Sequence, residues 1–441
     1  MRQVEFLSNP PVRYEVNGNT GIINIRTGGA IKGIIGNLDL SSSQGTNNWL
    51  DLSALINYGT GKIAISGYAA LHRGGYLTKN IRQRQLAPSL IDQQTSSLDK
   101  WNDPVFRVAV DYAHNSKSTF GGIVEREAST NHSSYETYVS QGNTSYQTNS
   151  ENPNTRYWNT YNLNYRYQDT LGTELSIDLD RADFSRYSEI NLYTLGQPDI
   201  NYLSKTAISI STAKADYTHS WKTNLKVEVG VKIASIQTRN SQDLNLFRYA
   251  ERIRASYASL SRTYDHLGWQ LGVRLEHTDA RGESAGAIRP DTNYFNLLPS
   301  AYLTWRFDTQ HHLRLSLSRR IKRPNYNDLE PFVYTLDPLN QQTGNPLLRV
   351  QRNDQAELTY TFKDRVTLTS TYSRGHNYFA MVYRQLSNIL IQQPDNAGKM
   401  ETLNFDLNYP IKLSRWWNIL TKVNIGNDHF DGNLLQGRLD E

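Results

Sequence analysis

The side chains best suited to chemistry gather between His311 and Asn353. Arg319, Arg320, Lys322 and Arg323 form a basic cluster that could grip an anionic ligand or a lipopolysaccharide phosphate. Its plainer assignment is a solvated rim. Beyond Pro324 come aromatic rings set among amides and a carboxylate. Such a mixture suits amphipathic ligands, sugars or aromatic chelates among them. The candidate substrate-binding residues are therefore Arg323, Tyr326, Asn327, Phe332, Tyr334, Asp337 and Asn345. The competing assignment is architectural, because Pro324, Pro331, Pro338 and the Gly344-Asn345-Pro346 turn suit a segment of fixed shape.

Bond-making chemistry finds little support elsewhere. His311-His312 lacks carboxylates at metal-ligand spacing. Tyr58-Gly59-Thr60-Gly61-Lys62 lacks the first glycine, the following Ser/Thr and the helix of a phosphate loop, and reads as a hairpin turn. Asp178/Asp180 and Glu125/Glu127 sit at i, i+2, on one face of a strand, as a hydrophilic wall would place them. No Gly-x-Ser-x-Gly or His-Glu-x-x-His motif occurs. Cysteine is absent, which removes thiolate metal sites and thiol nucleophiles together. No catalytic, cofactor or metal residue is assigned, and the chain does not read as an enzyme.

The elements that must carry these residues are strands. Leu313, Leu315 and Leu317 alternate with Arg314, Ser316 and Ser318, and alternation resumes at Ala356, Leu358, Tyr360 and Phe362. Leu225 to Ile233, Leu175 to Leu179 and Trp269 to Leu275 repeat the pattern, with charges of both signs on the polar face. The segments are longer than the usual five or six residues of a soluble strand and reach the roughly 9–11 of a tilted membrane-spanning one. Aromatics collect near their ends (Tyr157, Trp158, Tyr161, Tyr165, Tyr167, Trp221, Trp305, Trp416, Trp417), as an interfacial girdle requires. Short turns alternate with long loops at Gly74–Trp101, Gly142–Arg156, Gly196–Lys205, Gly282–Asn293 and Pro324–Asn353, the arrangement of an outer-membrane barrel.

Composition agrees. In 441 residues hydrophobic side chains make up 38% and mean hydropathy is -0.63, yet there are 28 tyrosines and 8 tryptophans. That is too aromatic for disorder and too polar for a dry core. A large barrel with a wet lumen resolves the conflict. The net charge of +5 is dispersed, so no nucleic-acid footprint is indicated. No apolar run is long enough for a transmembrane helix, and the first ten residues hold no signal peptide.

Two stretches resemble TonB-dependent outer-membrane receptors, in the branch typical of Bacteroidetes. In residues 4–27 Asn9, Pro10, Tyr14, Gly18, Gly21, Ile22, Ile23, Asn24 and Ile25 match the end of the plug domain. In residues 318–348 Arg320, Arg323, Pro324, Tyr326, Leu329, Pro331, Phe332, Asp337, Pro338, Gly344, Asn345, Pro346 and Leu348 match a barrel signature. The Pro-Glu pair that usually follows is replaced by Val350-Gln351.

The resemblance implies an all-β fold: a large antiparallel outer-membrane β-barrel, with about 18–20 strands present of an expected 22. Residues 1–30 would be the remnant of the plug domain and 31–441 a transmembrane barrel incomplete at its C-terminus, its first and last strands unpaired. The implied function is uptake of a substrate with TonB-derived energy. Partners would be outer-membrane lipid and lipopolysaccharide, the TonB complex through an N-terminus upstream, and a surface lipoprotein. A carboxypeptidase-regulatory-like domain would precede the plug. Two rivals stand beside this reading: an unplugged porin or adhesin barrel, and a soluble carbohydrate-binding or hydrolytic β-protein.

Overall fold

Each alternating segment becomes one stave of a single wall. The structure, a computed structural model, describes residues 3–7, 11–14, 22–26, 32–86, 89–284, 291–337, 339–387, 389–434 and 437–440. β1 (Gln3–Leu7) and β2 (Ile22–Arg26) form a separate two-stranded antiparallel sheet. The wall then runs through β3 (Gly33–Gln44), β4 (Asn48–Gly59), β5 (Ile63–Leu86), β6 (Ser89–Ala113), β7 (Ser118–Gln141), β8 (Thr144–Gln168) and β9 (Thr173–Thr194). It continues through β10 (Ile200–Ser220), β11 (Leu225–Gln242), β12 (Asn245–Thr263), β13 (Leu267–Ser284), β14 (Asp291–Arg306) and β15 (His311–Lys322). β16 (Val333–Asp337) and β17 (Asn340–Thr343) leave the wall as a hairpin, so β15 pairs directly with β18 (Gln351–Phe362). β19 (Val366–Leu386), β20 (Ile389–Lys412), β21 (Asn418–Leu434) and β22 (Gly437–Asp440) complete it. The strand order returns from β22 to β3, giving a closed ring of eighteen wall strands among the described residues. The sequence suggested free edges; the ring has β22 beside β3 instead.

Register sorts the side chains. Val229, Val231 and Ile233 of β11 are 40–60% exposed and Leu271, Val273 and Leu275 of β13 are similar, while Glu228, Arg274, Glu276 and Thr278 between them are buried. The apolar face therefore looks out and the charged face in. This reverses a soluble sandwich, and it is what lipid outside and a polar lumen inside demand. The inner face was expected simply to line water. On β11–β13 it is packed, but β3 is exposed along its whole length, on both faces.

Several expected loops are strands. Residues 74–86 lie in β5 and 89–101 in β6, which pair from Ile63–Tyr112 up to Leu86–Ser89. Of residues 142–156 only the turn at 142–143 is loop, and 144–156 lie in β8, paired with β7. These stretches mix polar and apolar residues on both faces and so show no alternation, yet a strand beyond the bilayer needs only its backbone partner. Residues 285–290, within another expected loop, lie outside the described residues. At the ends with short turns, Trp221, Trp305, Phe307 and Trp417 are about half exposed and form the expected girdle. Trp158 does not belong to it, since it faces inward against Phe184 with ring centroids 5.5 Å apart.

One inward glycine illustrates how tightly the packed side is fitted. A Cβ on Gly230 would meet the Tyr257 ring at 2.5 Å, and the Tyr257 hydroxyl donates to Asp216 at 2.6 Å. Gly230→Ala should therefore push Tyr257 off this bond and cost about 1–3 kcal/mol, as overpacking does. The check is a loss of barrel heat resistance that Gly67→Ala, whose Cβ would meet nothing within 4 Å, does not reproduce.

Candidate functional site

Where β15 ends at Lys322 the chain turns into the lumen. Proline cannot donate to a ladder and favours extended geometry in its neighbour, so Pro324 stops the pairing there. Arg323 enters a buried ionic cluster: its guanidinium pairs with Glu276 and stands 3.5 Å from Glu251. Arg274 of β13 holds the other oxygen of Glu276 at 3.0 Å. Glu276 thus lies between two arginines and is 1% exposed. The Tyr326 hydroxyl donates to Glu251 at 3.4 Å, and its ring lies 6.0 Å from that of Tyr249.

A single 3-10 turn at Tyr326–Leu329 then drives Leu329 and Phe332 onto Phe247. The Tyr334 hydroxyl donates to Glu330 at 2.8 Å. The Tyr202 hydroxyl donates to the Thr335 carbonyl at 3.2 Å, and the Gln242 amide to the Val333 carbonyl at 3.0 Å. The β16–β17 hairpin carries Leu339 to Ile91 and Val139 of β6 and β7. β17 also runs parallel to Leu390–Gln392 of β20 in a short ladder. The segment returns through Gly344, whose N–H donates to the Glu330 carbonyl at 3.0 Å. A Cβ there would meet that carbonyl oxygen at 2.4 Å, so only glycine allows the two passes to touch. Residues 323–350 are therefore a folded bar across the mouth, tied to several sides of the barrel.

The sequence-assigned residues divide accordingly. Arg323, Tyr326, Phe332 and Tyr334 hold the bar to the wall, while Asn345 donates to Asp395 at 3.3 Å and accepts from the Leu347 N–H at 3.0 Å. Asn327 is exposed. The Asp337 side chain lies outside the described residues. Glu251, Glu276, Arg274 and Glu330 were missed as members of the site. The i, i+2 pair Arg274/Glu276 was visible as charge on a polar face, but nothing in one strand tells which other strand completes it.

Beneath the bar is a cavity of about 650 Å³. Its floor includes Val12 and Tyr14, and Arg13 of the same segment reaches Glu228 at 3.2 Å. Ile208, Ile236 and Ile253 form an apolar side, while Arg274, Arg320 and Arg323 bring charge. The hydroxyls of Ser300 and Ser318, a cross-strand pair lining this space, are buried without a protein partner. Such a chamber can hold a ligand with an apolar body and a hydrogen-bonding or anionic group. Among the described residues no cluster of His, Asp and Glu could hold a metal.

Burial also shapes the bar's protonation. The Tyr202 hydroxyl is pushed up to about 12 by burial. Burial raises the Glu330 carboxyl above its ordinary value, and one of its oxygens has no partner. A carboxyl whose folded value is raised contributes stability that is full below its unfolded pKa and lost as pH rises through the folded one. The bar should accordingly resist proteolysis between Pro324 and Val350 better at pH 5 than at pH 8. Glu330→Gln, which stays neutral, should flatten that difference.

Residues 166–440 match the model of the outer membrane protein beta-barrel family. No curated protein matches the sequence. Among solved structures, a mutant ferric enterobactin receptor of Pseudomonas aeruginosa is similar at 14% identity with a TM-score of 0.62, over 96% of this chain and 66% of that one. The alcaligin outer membrane receptor of Bordetella pertussis is similar at 13% identity with a TM-score of 0.56, over 94% and 64%. A copper transporter, OprC, is similar at 11% identity with a TM-score of 0.65, over 96% and 66%. The chain spans about two thirds of the length of these proteins. At such identities the likeness is one of fold.

Proposed function

The chain belongs to the outer membrane protein beta-barrel family, and on that premise we propose that it is the barrel of a receptor that takes up a substrate with energy drawn through the TonB complex. Its place is the bacterial outer membrane. The observation that supports uptake over free diffusion is the bar of residues 323–350, folded across the mouth above a chamber floored by residues 11–14. A wide pore for passive flow gains nothing from a crossbar anchored by a buried ionic cluster. A receptor gains a fixed ceiling over its ligand.

In this reading the chamber receives the substrate from outside, residues 1–30 are the end of a plug, and a surface lipoprotein could deliver the cargo. The protein acts as a transporter, with no bond-making step assigned. Ferric enterobactin and alcaligin receptors and a copper transporter share its fold, which leaves iron chelates and metals within the range of substrates and selects none.

The test compares solute depletion from defined medium by cells that carry the full-length protein and cells that lack it. The depleted solute should stop entering when the TonB complex is removed. Uptake that persists without TonB would favour the unplugged porin. In the same assay Tyr326→Ala with Tyr334→Ala should lower uptake at least about tenfold if the bar recognises ligand. If the heat-resistant barrel itself is lost, the bar's role is architectural.

A further inference from the structure

β5 outgrows its neighbour on one side. Its rungs with β4 end at Arg73, opposite Leu50, while those with β6 continue in unbroken register to Leu86. Among the described residues no strand lies against the far edge of β5 between Gly74 and Leu86. The outward apolar series of β6 ends at Phe106, opposite Ala69, so this edge stands in the water beyond the bilayer.

The ladder at the base of β5 tells which backbone groups are left over. The Lys62 carbonyl accepts from the Ala113 N–H on the β6 side, and the Ile63 carbonyl accepts from the Thr60 N–H on the β4 side. In an antiparallel ladder these directions alternate along the strand. Leu77, Lys79, Ile81, Gln83 and Gln85 therefore aim N–H and C=O at the empty side. Gly75 belongs to the same series, and its carbonyl is capped by the Trp49 indole at 2.8 Å. Among the described residues the five above it have no backbone partner on that side.

A long, straight edge is a template for another chain, and proteins commonly blunt it. Where β14 outruns β15 above Ser300, Pro299 stands at the break and offers no donor. β5 has no proline from Ile63 to Leu86. Its outer flank there presents exposed Leu77, Lys79 and Ile81, and its inner flank Arg82 and Arg84. From Leu77 to Leu86 there is no carboxylate, and the opposing stretch of β6 holds one, Asp92. Lys100, beside Gly75, adds a cation at the base.

We propose that the edge of β5 from Leu77 to Gln85 takes up an extended acidic segment of another protein as an added strand. The backbone of that segment completes the ladder. A carboxylate stands against Lys79, and apolar side chains on either side of it rest on Leu77 and Ile81. A second copy of this chain would set cation against cation, which disfavours pairing between like edges. The proposal needs the barrel in its membrane and is independent of the uptake reading.

The experiment uses the full-length protein in mild detergent and a labelled peptide alternating as Val-Thr-Glu-Thr-Val. Controls are the same peptide with lysine for glutamate, and the acidic peptide with alternate amides N-methylated. Fluorescence anisotropy should show the acidic peptide bound at least about tenfold more tightly than the basic one, and the N-methylated peptide not bound. Amide exchange should slow at Leu77, Lys79, Ile81 and Gln83. Ile81→Pro removes one edge donor and no rung to β6, so it should abolish binding while the heat-resistant barrel persists. Ile81→Val should bind normally. Should the proline variant fail to assemble, Lys79→Glu should still erase the preference for the acidic peptide. Absence of binding, equal binding of the acidic and basic peptides, binding of the N-methylated peptide, or dimers in detergent that Ile81→Pro disperses would each overturn the proposal.

Discussion

Glu276→Leu is expected to cost about 3–5 kcal/mol, because it leaves Arg274 and Arg323 buried without the carboxylate they share. Arg274 sits in β13 and Arg323 at the start of the bar, so the loss strikes wall and ceiling together. Heat resistance of the barrel in detergent should fall, and protease should gain access to residues 324–350. Replacing Glu276 and both arginines with apolar residues of similar volume should recover much of the barrel's stability, since the penalty belongs to the uncompensated charges. If the single substitution leaves both readings unchanged, the cluster does not anchor the bar.

The second large effect concerns the outer face. Val229 is 40% exposed on an outward apolar row of β11, and an arginine in the middle of the lipid face of a barrel costs roughly 2–4 kcal/mol. Val229→Arg should therefore reduce folded protein in the outer membrane sharply. Ser66→Arg on β5 places the same charge on the lumenal side, beside strands exposed on both faces, and should be accepted. Gly230, although it faces inward, is no fair control, because Tyr257 lies over it. Equal losses for Val229→Arg and Ser66→Arg would refute the facing of the wall.

How much was legible follows from what each stretch touches. Leu225 to Ile233 could be read because lipid on one side and polar groups on the other impose a period of two. Residues 74–101 could not, because no lipid covers their outer face and their inner face mixes polar groups with a few buried contacts such as Ile91, Gln93 and Ser97, so no period of two is imposed. The prolines, glycine and aromatics of residues 324–346 announced a segment of fixed shape, but not its direction. That direction is set by Phe247, Glu251, Glu276 and Leu339's partners Ile91 and Val139, which are remote in sequence and individually unremarkable. Arg323, Tyr326, Phe332 and Tyr334 were thus legible as parts of one segment, while the acids that receive Arg323 and Tyr326 were not. Arg274 and Glu276 looked like wetted lumen charges, and only the packing of β11–β13 turns them into a buried anchor.

The height of the wall carries a last consequence. β5 to β8 run 24 or 25 residues each, and on β6 the outward apolar series ends at Phe106, leaving Ser89 to Val105 above it. At about 3.3 Å per residue and a tilt near 40°, that sector rises roughly 40 Å beyond the bilayer. A solute approaching the crossbar beside it must first descend a hydrated shaft walled by hydroxyls, amides and paired charges. The shaft acts as an antechamber, admitting molecules by width and polarity before any pocket is reached. Folded macromolecules too broad for the shaft can meet only its rim and the outer flank of β5 to β8, so toxins, phages or antibodies that recognise this protein would bind there.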